Sequence, residues 1–193
     1  EVAQMINEAE RPFIYAGGGI KISKACKELA EFAKKIDSPI ATTLMAQDSV
    51  RNENPLYTGM IGMHGTKASN IAATKCDLFI AIGARFSDRV IGKPEHIQNA
   101  RIVHIDVDPA EINKNVRVDA FVVGDAKSVL DKLISKVEEK KHTEWVNKID
   151  SLKVKPEIDK ERLTPEFLFD SLNKLNDGNI IVSTEVGQHQ MWA

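Results

Sequence analysis

Leu78-Phe79-Ile80-Ala81-Ile82 is an unbroken apolar run closed by Gly83-Ala84-Arg85. A strand with one wet face alternates in polarity, whereas a strand covered on both faces does not. The run therefore predicts an inner strand of a sheet flanked by helices on both sides. Its neighbours repeat the theme. Pro12-Phe13-Ile14-Tyr15-Ala16 ends in Gly17-Gly18-Gly19. Apolar residues then recur at Ile22, Ala25, Cys26, Leu29, Ala30, Phe32, Ala33 and Ile36, the spacing of one helix over 22–36. Pro39-Ile40-Ala41-Thr42-Thr43, Arg101-Ile102-Val103-His104-Ile105-Asp106-Val107 and Ala120-Phe121-Val122-Val123 read as further strands. Segments 67–75 and 126–137 read as helices. Five strands alternating with helices imply an α/β fold, a doubly wound parallel sheet with helices on both faces.

Composition sets the outer limits. The 193 residues are 42% hydrophobic and 28% charged, too apolar for a disordered chain. No run approaches the ~18 apolar residues of a membrane helix. The 26 basic residues are balanced by 28 acidic ones, for a net charge of −2. That balance argues against nucleic acid or a membrane surface as partner. Cys26 and Cys76 are too few for a zinc site and are expected to be buried free thiols of a cytoplasmic protein.

Character changes past Val137. Segment 138–160 holds 12 charged residues among 23, with Trp145, Val146, Ile149 and Leu152 as its few apolar anchors. The expected organisation is a first domain over 1–139, a linker over 140–163 containing a surface helix, and an incomplete second α/β unit over 164–193. Thr164-Pro165-Glu166 has the form of an N-cap followed by proline at the first helical position. Phe167, Leu168, Leu172 and Leu175 give that helix an apolar face, and Asn179-Ile180-Ile181-Val182-Ser183 reads as a buried strand. No signal-peptide pattern opens the chain, which is expected to be a piece of a longer protein.

The chemistry-bearing residues gather where strands end. Gly17-Gly18-Gly19 follows the first strand; glycine permits positive φ and close approach of backbone N–H groups to a ligand. A helix N-terminus after it favours phosphate, although Ile22 breaks the G-x-G-x-x-G pattern. Thr42-Thr43-Leu44-Met45 follows the second strand. Gly59-Met60-Ile61-Gly62-Met63-His64-Gly65-Thr66 resists reading as strand or helix, while its methionines suit packing on a flat ring and Thr66 suits a helix cap. His64 is open to two readings, ligand or structural histidine. Gly83-Ala84-Arg85-Phe86-Ser87-Asp88-Arg89-Val90 offers arginine forks for phosphate, or a surface ion-pair cluster. Asp106 is placed to accept from ribose hydroxyls, Asp108 to cap a helix that starts at Pro109, and Gly124-Asp125 to meet an adenine or simply to turn. Strand ends in one sheet should converge on one crevice long enough for a dinucleotide. No arrangement for nucleophilic catalysis and no C-x-x-C is present.

Gly17-Gly18-Gly19, Thr43-Leu44-Met45, segments 59–65 and 83–93 (the latter closing with Ile91-Gly92-Lys93), and the tail Glu185-Val186-Gly187-Gln188-His189-Gln190-Met191-Trp192 closely resemble the acetolactate synthase (acetohydroxyacid synthase) large catalytic subunit family, a likeness that covers essentially the whole chain. The resemblance implies the central FAD-binding domain of a three-domain enzyme and the start of its C-terminal thiamine-diphosphate-binding domain. The implied reaction decarboxylates pyruvate and joins the product to a second 2-keto acid. Acetolactate or acetohydroxybutyrate results, on the way to valine, leucine and isoleucine. Implied FAD contacts are Gly17, Gly18, Gly19, Thr43, Leu44, Met45, Ile61, Gly62, Met63, His64, Gly83, Ala84, Arg85, Asp88, Arg89, Val90, Asp106, Val107, Gly124 and Asp125. Gly187, Gln188 and His189 match contacts to thiamine diphosphate. No catalytic residue and no metal ligand is implied within these 193 residues; Mg²⁺ belongs to the full-length enzyme, as do a homo-oligomer and a regulatory small subunit. Ser87 stands where the family commonly has aspartate. Alternatives are another thiamine-diphosphate pyruvate enzyme (a pyruvate oxidase or catabolic acetolactate synthase) and a free-standing nucleotide-binding regulatory module. The Arg-Phe-x-Asp-Arg-Val segment favours the FAD-dependent biosynthetic branch.

Overall fold

Six strands form one all-parallel sheet: β1 (Pro12–Ala16), β2 (Ile40–Thr42), β3 (Tyr57–Met60), β4 (Leu78–Ile82), β5 (Arg101–Asp106) and β6 (Ala120–Val123). Their order across the sheet is β3-β2-β1-β4-β5-β6. Winding therefore reverses between β1 and β4, the place where open α/β sheets bind ligands. The computed structural model describes residues 1–87, 97, 99–154, 158–176 and 180–192. It divides into two units, Glu1–Lys153 and Val154–Ala193.

Helices cover both faces of the sheet in the first unit. One face carries Ile14, Ile40, Ile80, Ile82, Val103 and Ile105. It packs against α1 (Val2–Glu8), α3 (Cys26–Lys35) and α5 (Ala126–Ile134). The other carries Phe13, Tyr15, Phe79, Ala81 and Ile102 under α4 (Lys67–Lys75) and α6 (Thr143–Asp150). β1 and β4 are buried along their whole length, as their unbroken apolar runs require. The alanines of α4 (Ala68, Ala72, Ala73) leave room for the aromatic rows beneath. Within the charged stretch, α6 is tied to the sheet: Trp145 is buried and its Nε1–H donates to the Pro12 carbonyl at 2.9 Å. Both cysteines are free thiols, Cys76 buried and Cys26 half-buried. Burial first, and then neighbouring Asp77, pushes the Cys76 thiol up to about 12.

The structure corrects three expectations. Segment 59–66 resists reading as a strand, yet its first two residues close β3. β3 is an edge strand paired to β2 alone, with a register shift opposite Ile40–Ala41, and Gly59 sits at φ +98° within it. The helix expected over 22–36 is two helices, α2 (Gly19–Ile22) and α3, separated by Lys24 at φ +55°. The break turns Ile22 outward, 86% exposed. In the second unit, α7 (Pro165–Leu175) begins as expected, Thr164 Oγ1 accepting from the Phe167 N–H at 3.2 Å, and α8 (Gln188–Trp192) follows Gly187. Residues 180–183 are not a strand, and Ile181 is fully exposed. A strand needs a partner to hydrogen-bond, and the second unit has no other strand among its described residues.

Candidate functional site

The sheet order sets the strand ends in a row: Ile61, Thr43, Gly17, Gly83, Val107, Gly124. Five inter-strand spacings of about 4.8 Å give it a length of about 24 Å. At its centre the loops after β1 and β4 touch. The Gly17 N–H donates to the Ile82 carbonyl at 2.9 Å, and the Gly19 N–H to the Gly83 carbonyl at 3.0 Å. A Cβ on Gly17 would lie 2.2 Å from the Gly83 oxygen, and one on Gly19 would lie 2.7 Å from the Gly83 Cα. These glycines are required by backbone meeting backbone. Gly18 is αR with φ −56°, so positive φ explains none of its use. Positive φ belongs instead to Gly59, Gly62 and Gly83 (φ +57°). The helix that follows Gly17-Gly18-Gly19 is only four residues long.

Beyond this contact lies a cleft of about 340 Å³ under the ends of β4, β5 and β6. Gly19, Gly83, Arg85, Asp106, Val107, Gly124 and Asp125 line it, seven of the residues expected from the sequence. Arg85 and Asp125 are exposed, and Val107 is 70% exposed. Ala84, adjacent to the lining, is buried against the Gly17 loop. Asp106 is largely committed: its Oδ1 accepts from the Asp108 N–H at 3.0 Å, and its Oδ2 stands 3.7 Å from His104 Nε2. Asp108 and Asp125 cap turns, accepting from the N–H groups of Ala110 and Ser128. Ile22, Ser23 and Glu111 also line the cleft and carried no signal in the sequence. Ile22 looked like part of a core-facing helix stripe.

The other half of the row is open. Met45 and Met63 are 72% and 73% exposed, and Leu44 and His64 are exposed beside them. Ile61 is buried, and Asn70 holds Gly62 by two bonds, accepting from its N–H and donating to its carbonyl. Thr66 caps α4, accepting from the Ser69 N–H at 3.0 Å. Thr43 Oγ1 is buried without a hydrogen-bond partner among the described residues. Asp88, Arg89 and Val90 lie outside the described residues. Gly187, Gln188 and His189 belong to the second unit.

Beneath the cleft, His104 is fully buried on β5. Its Nε2 meets the Ala84 carbonyl at 3.1 Å, and its ring lies edge-to-face with Phe86, centroids 4.9 Å apart. Burial holds its pKa below the ordinary imidazole range; Asp106, the Ala84 carbonyl and Glu111 oppose that shift. A polar residue inside an otherwise apolar inner strand is a signal the sequence did offer. The opposite end of the sheet holds a broader depression of about 720 Å³. Its lining mixes Arg11, Lys140, Lys141 and Lys148 with Glu8, Glu10 and Glu144, so opposite charges largely offset.

Residues 1–133 match the central domain of thiamine pyrophosphate enzymes. The chain belongs to that family. Similarity to individual relatives runs further, over the whole chain. It is 45% identical to a probable acetolactate synthase large subunit of Methanocaldococcus jannaschii, over 100% of this chain and 35% of the relative. It is 41% identical to the acetolactate synthase large subunit of Cyanidium caldarium, over 98% of this chain and 34% of the relative. With that of Corynebacterium glutamicum, identity is 40% over 100% and 33%. The chain thus spans about a third of the length of these curated relatives. Among the described residues, no helix is long and apolar enough to cross a membrane.

Proposed function

We propose that this chain is the FAD-binding central domain, with the opening of the thiamine-diphosphate-binding domain over 164–193, of a cytoplasmic acetolactate synthase catalytic subunit. The observation that carries this reading is the extent of the similarity. It continues past residue 133, through the tail, in relatives named as acetolactate synthase large subunits. The full-length enzyme then forms acetolactate or acetohydroxybutyrate from two 2-keto acids, as a homo-oligomer with a regulatory small subunit. Thiamine diphosphate, held through Mg²⁺ by parts beyond these residues, supplies the electron sink for decarboxylation, and FAD is structural.

The row suits a flavin dinucleotide. Gly17 and Gly19 keep the centre free of side chains. Arg85 offers a guanidinium fork to a diphosphate at the cleft. The buried Thr43 hydroxyl lacks a partner among the described residues, and ligand polar atoms can satisfy it. Exposed Met45 and Met63 provide adaptable apolar contacts for a flat ring. Asp106, already bonded to its own turn, is left with Oδ2 for a ribose hydroxyl. Gly187, Gln188 and His189 are assigned to the diphosphate side of thiamine diphosphate.

The test is a chimera. The chain replaces the matching segment of the Methanocaldococcus jannaschii relative, and acetolactate formation from pyruvate is measured with thiamine diphosphate, Mg²⁺ and FAD. Turnover supports the reading. A folded chimera that binds FAD and forms no acetolactate overturns the activity, and one that shows no flavin band near about 450 nm overturns the cofactor. Arg85→Ala should weaken FAD binding by about 1.5–3 kcal/mol.

A further inference from the structure

We propose that His104 and Asn115 are positioning residues that together present Arg85 to the cleft. The proposal rests on the reading of that cleft as the nucleotide site. Arg85 is exposed between two buried neighbours, Ala84 at 2% and Phe86 at 4% exposure. Each neighbour's carbonyl is held by a side chain from a distant part of the sequence. His104 Nε2 lies 3.1 Å from the Ala84 oxygen, and Asn115 Nδ2 lies 2.6 Å from the Phe86 oxygen. A carbonyl only accepts, so the histidine carries its proton on Nε2 and the asparagine points its NH₂ inward. Upstream, the Gly83 N–H donates to the Ile105 carbonyl at 2.8 Å. The backbone therefore enters and leaves Arg85 at fixed points, and a long, flexible side chain starts from a rigid base.

Packing alone does not call for these residues. His104 is fully buried against Phe86, and its Nδ1 finds no partner among the described residues. An apolar ring would fill that space without burying an unpaired nitrogen. Asp106 Oδ2, at 3.7 Å from Nε2, stands beyond hydrogen-bond distance. The bond to Ala84 is thus what the histidine contributes that phenylalanine would not.

The experiment uses the whole 193-residue chain and reads amide exchange over 83–87 without ligand, FAD affinity by flavin fluorescence, and melting temperature. His104→Phe keeps the ring and removes the donor. Asn115→Ala removes the second donor at an exposed position, and His104→Gln returns an N–H near the place of Nε2. Expected are faster exchange over 83–87 in the first two variants and FAD affinity lowered about tenfold. Both should be restored in His104→Gln, and no further loss should appear when either variant is added to Arg85→Ala. Unchanged exchange over 83–87 overturns the proposal, as does an equal loss of FAD affinity with and without Arg85. If the unmutated chain binds no FAD by itself, affinity is read in the chimera with the Methanocaldococcus jannaschii relative; exchange over 83–87 in both donor variants decides the positioning role by itself.

Discussion

α5 and α7 begin with equally good local signals, and only one of them is buried. Asp125 caps α5 by accepting from the Ser128 N–H at 3.0 Å, and the helix buries Ala126, Val129, Leu130 and Leu133. Thr164 caps α7, proline occupies its first turn, and no residue of it is buried. The same contrast holds for apolar runs. Ile80 is wholly buried in β4, whereas Ile181, in an equally apolar run, is wholly exposed. Caps and periodicity act within a few residues and form a helix wherever they occur. Burial comes from the sheet, and the sheet belongs to the first unit.

The contrast would collapse if the charged stretch holding α6 were as loosely attached as α7. Trp145→Ala tests this. It removes a buried indole and the donor to the Pro12 carbonyl. A loss of about 3–5 kcal/mol is expected, read as a lower urea midpoint for the first unit. A loss below about 1 kcal/mol, the range of ordinary surface substitutions and small core trims, would mean that α6 is no part of the core.

Next in size is the contact between the loops after β1 and β4. Gly17→Ala drives a methyl group to 2.2 Å from a backbone oxygen. The expected cost is about 1–3 kcal/mol. Gly18→Ala meets Met45, its Cβ at 3.3 Å and its carbonyl oxygen at 3.9 Å, in a residue already αR, so thermal unfolding should find it close to neutral. Equal costs at the two positions would dissolve the distinction between a glycine needed for close approach and one merely adjacent to it.

This pair shows how far the sequence could be read. β1, β4 and β5 were legible because two-sided burial writes itself as an apolar run, and α4 because Thr66 and small residues mark it. β3 was not legible: a short edge strand with Gly59 at φ +98° lacks both alternation and an apolar run. The break at Lys24 was hidden because the helical spacing continues across it. Seven cleft residues are legible, since strand ends in a parallel sheet are set by the strands themselves. Ile22 and Glu111 are not, because their place depends on that break and on the turn after β5. The polarity of His104 within an inner strand marks it as unusual, but its role and that of Asn115 are not legible, because their partners are backbone carbonyls about 20 and 30 residues away, which no local pattern encodes.

A smaller effect is expected from pH. Burial keeps His104 neutral and lowers its pKa in the folded state. The unfolded chain, with an ordinary imidazole near about 6.5, takes up the proton first. Unfolding is therefore proton-linked as pH falls. The stabilisation is complete above about 6.5 and is lost as pH drops from there toward the depressed folded value. His104→Gln should flatten that part of the urea-midpoint profile, and an unchanged slope would remove His104 as its source.

The smallest effect is expected in the second unit, and it bears most directly on the contrast. Leu168 and Leu175 are 45% and 81% exposed on α7. Truncating a side chain that water already reaches removes little transfer free energy and opens no cavity. Leu168→Ala should therefore shift the unfolding midpoint by no more than about 0.5 kcal/mol, against several for Trp145→Ala. Amide exchange gives the same comparison without mutation. Residues 180–182 make no ladder bonds and should exchange fast, while Leu78–Ile82, paired on both sides, should exchange only on global opening. The decisive sample is monomeric, since association between copies would supply the missing partner. Slow exchange over 180–182 in that sample, matching β4, would mean that the second unit has a core of its own. Local signal and burial would then agree in both units, and the lesson drawn from α5 and α7 would fail.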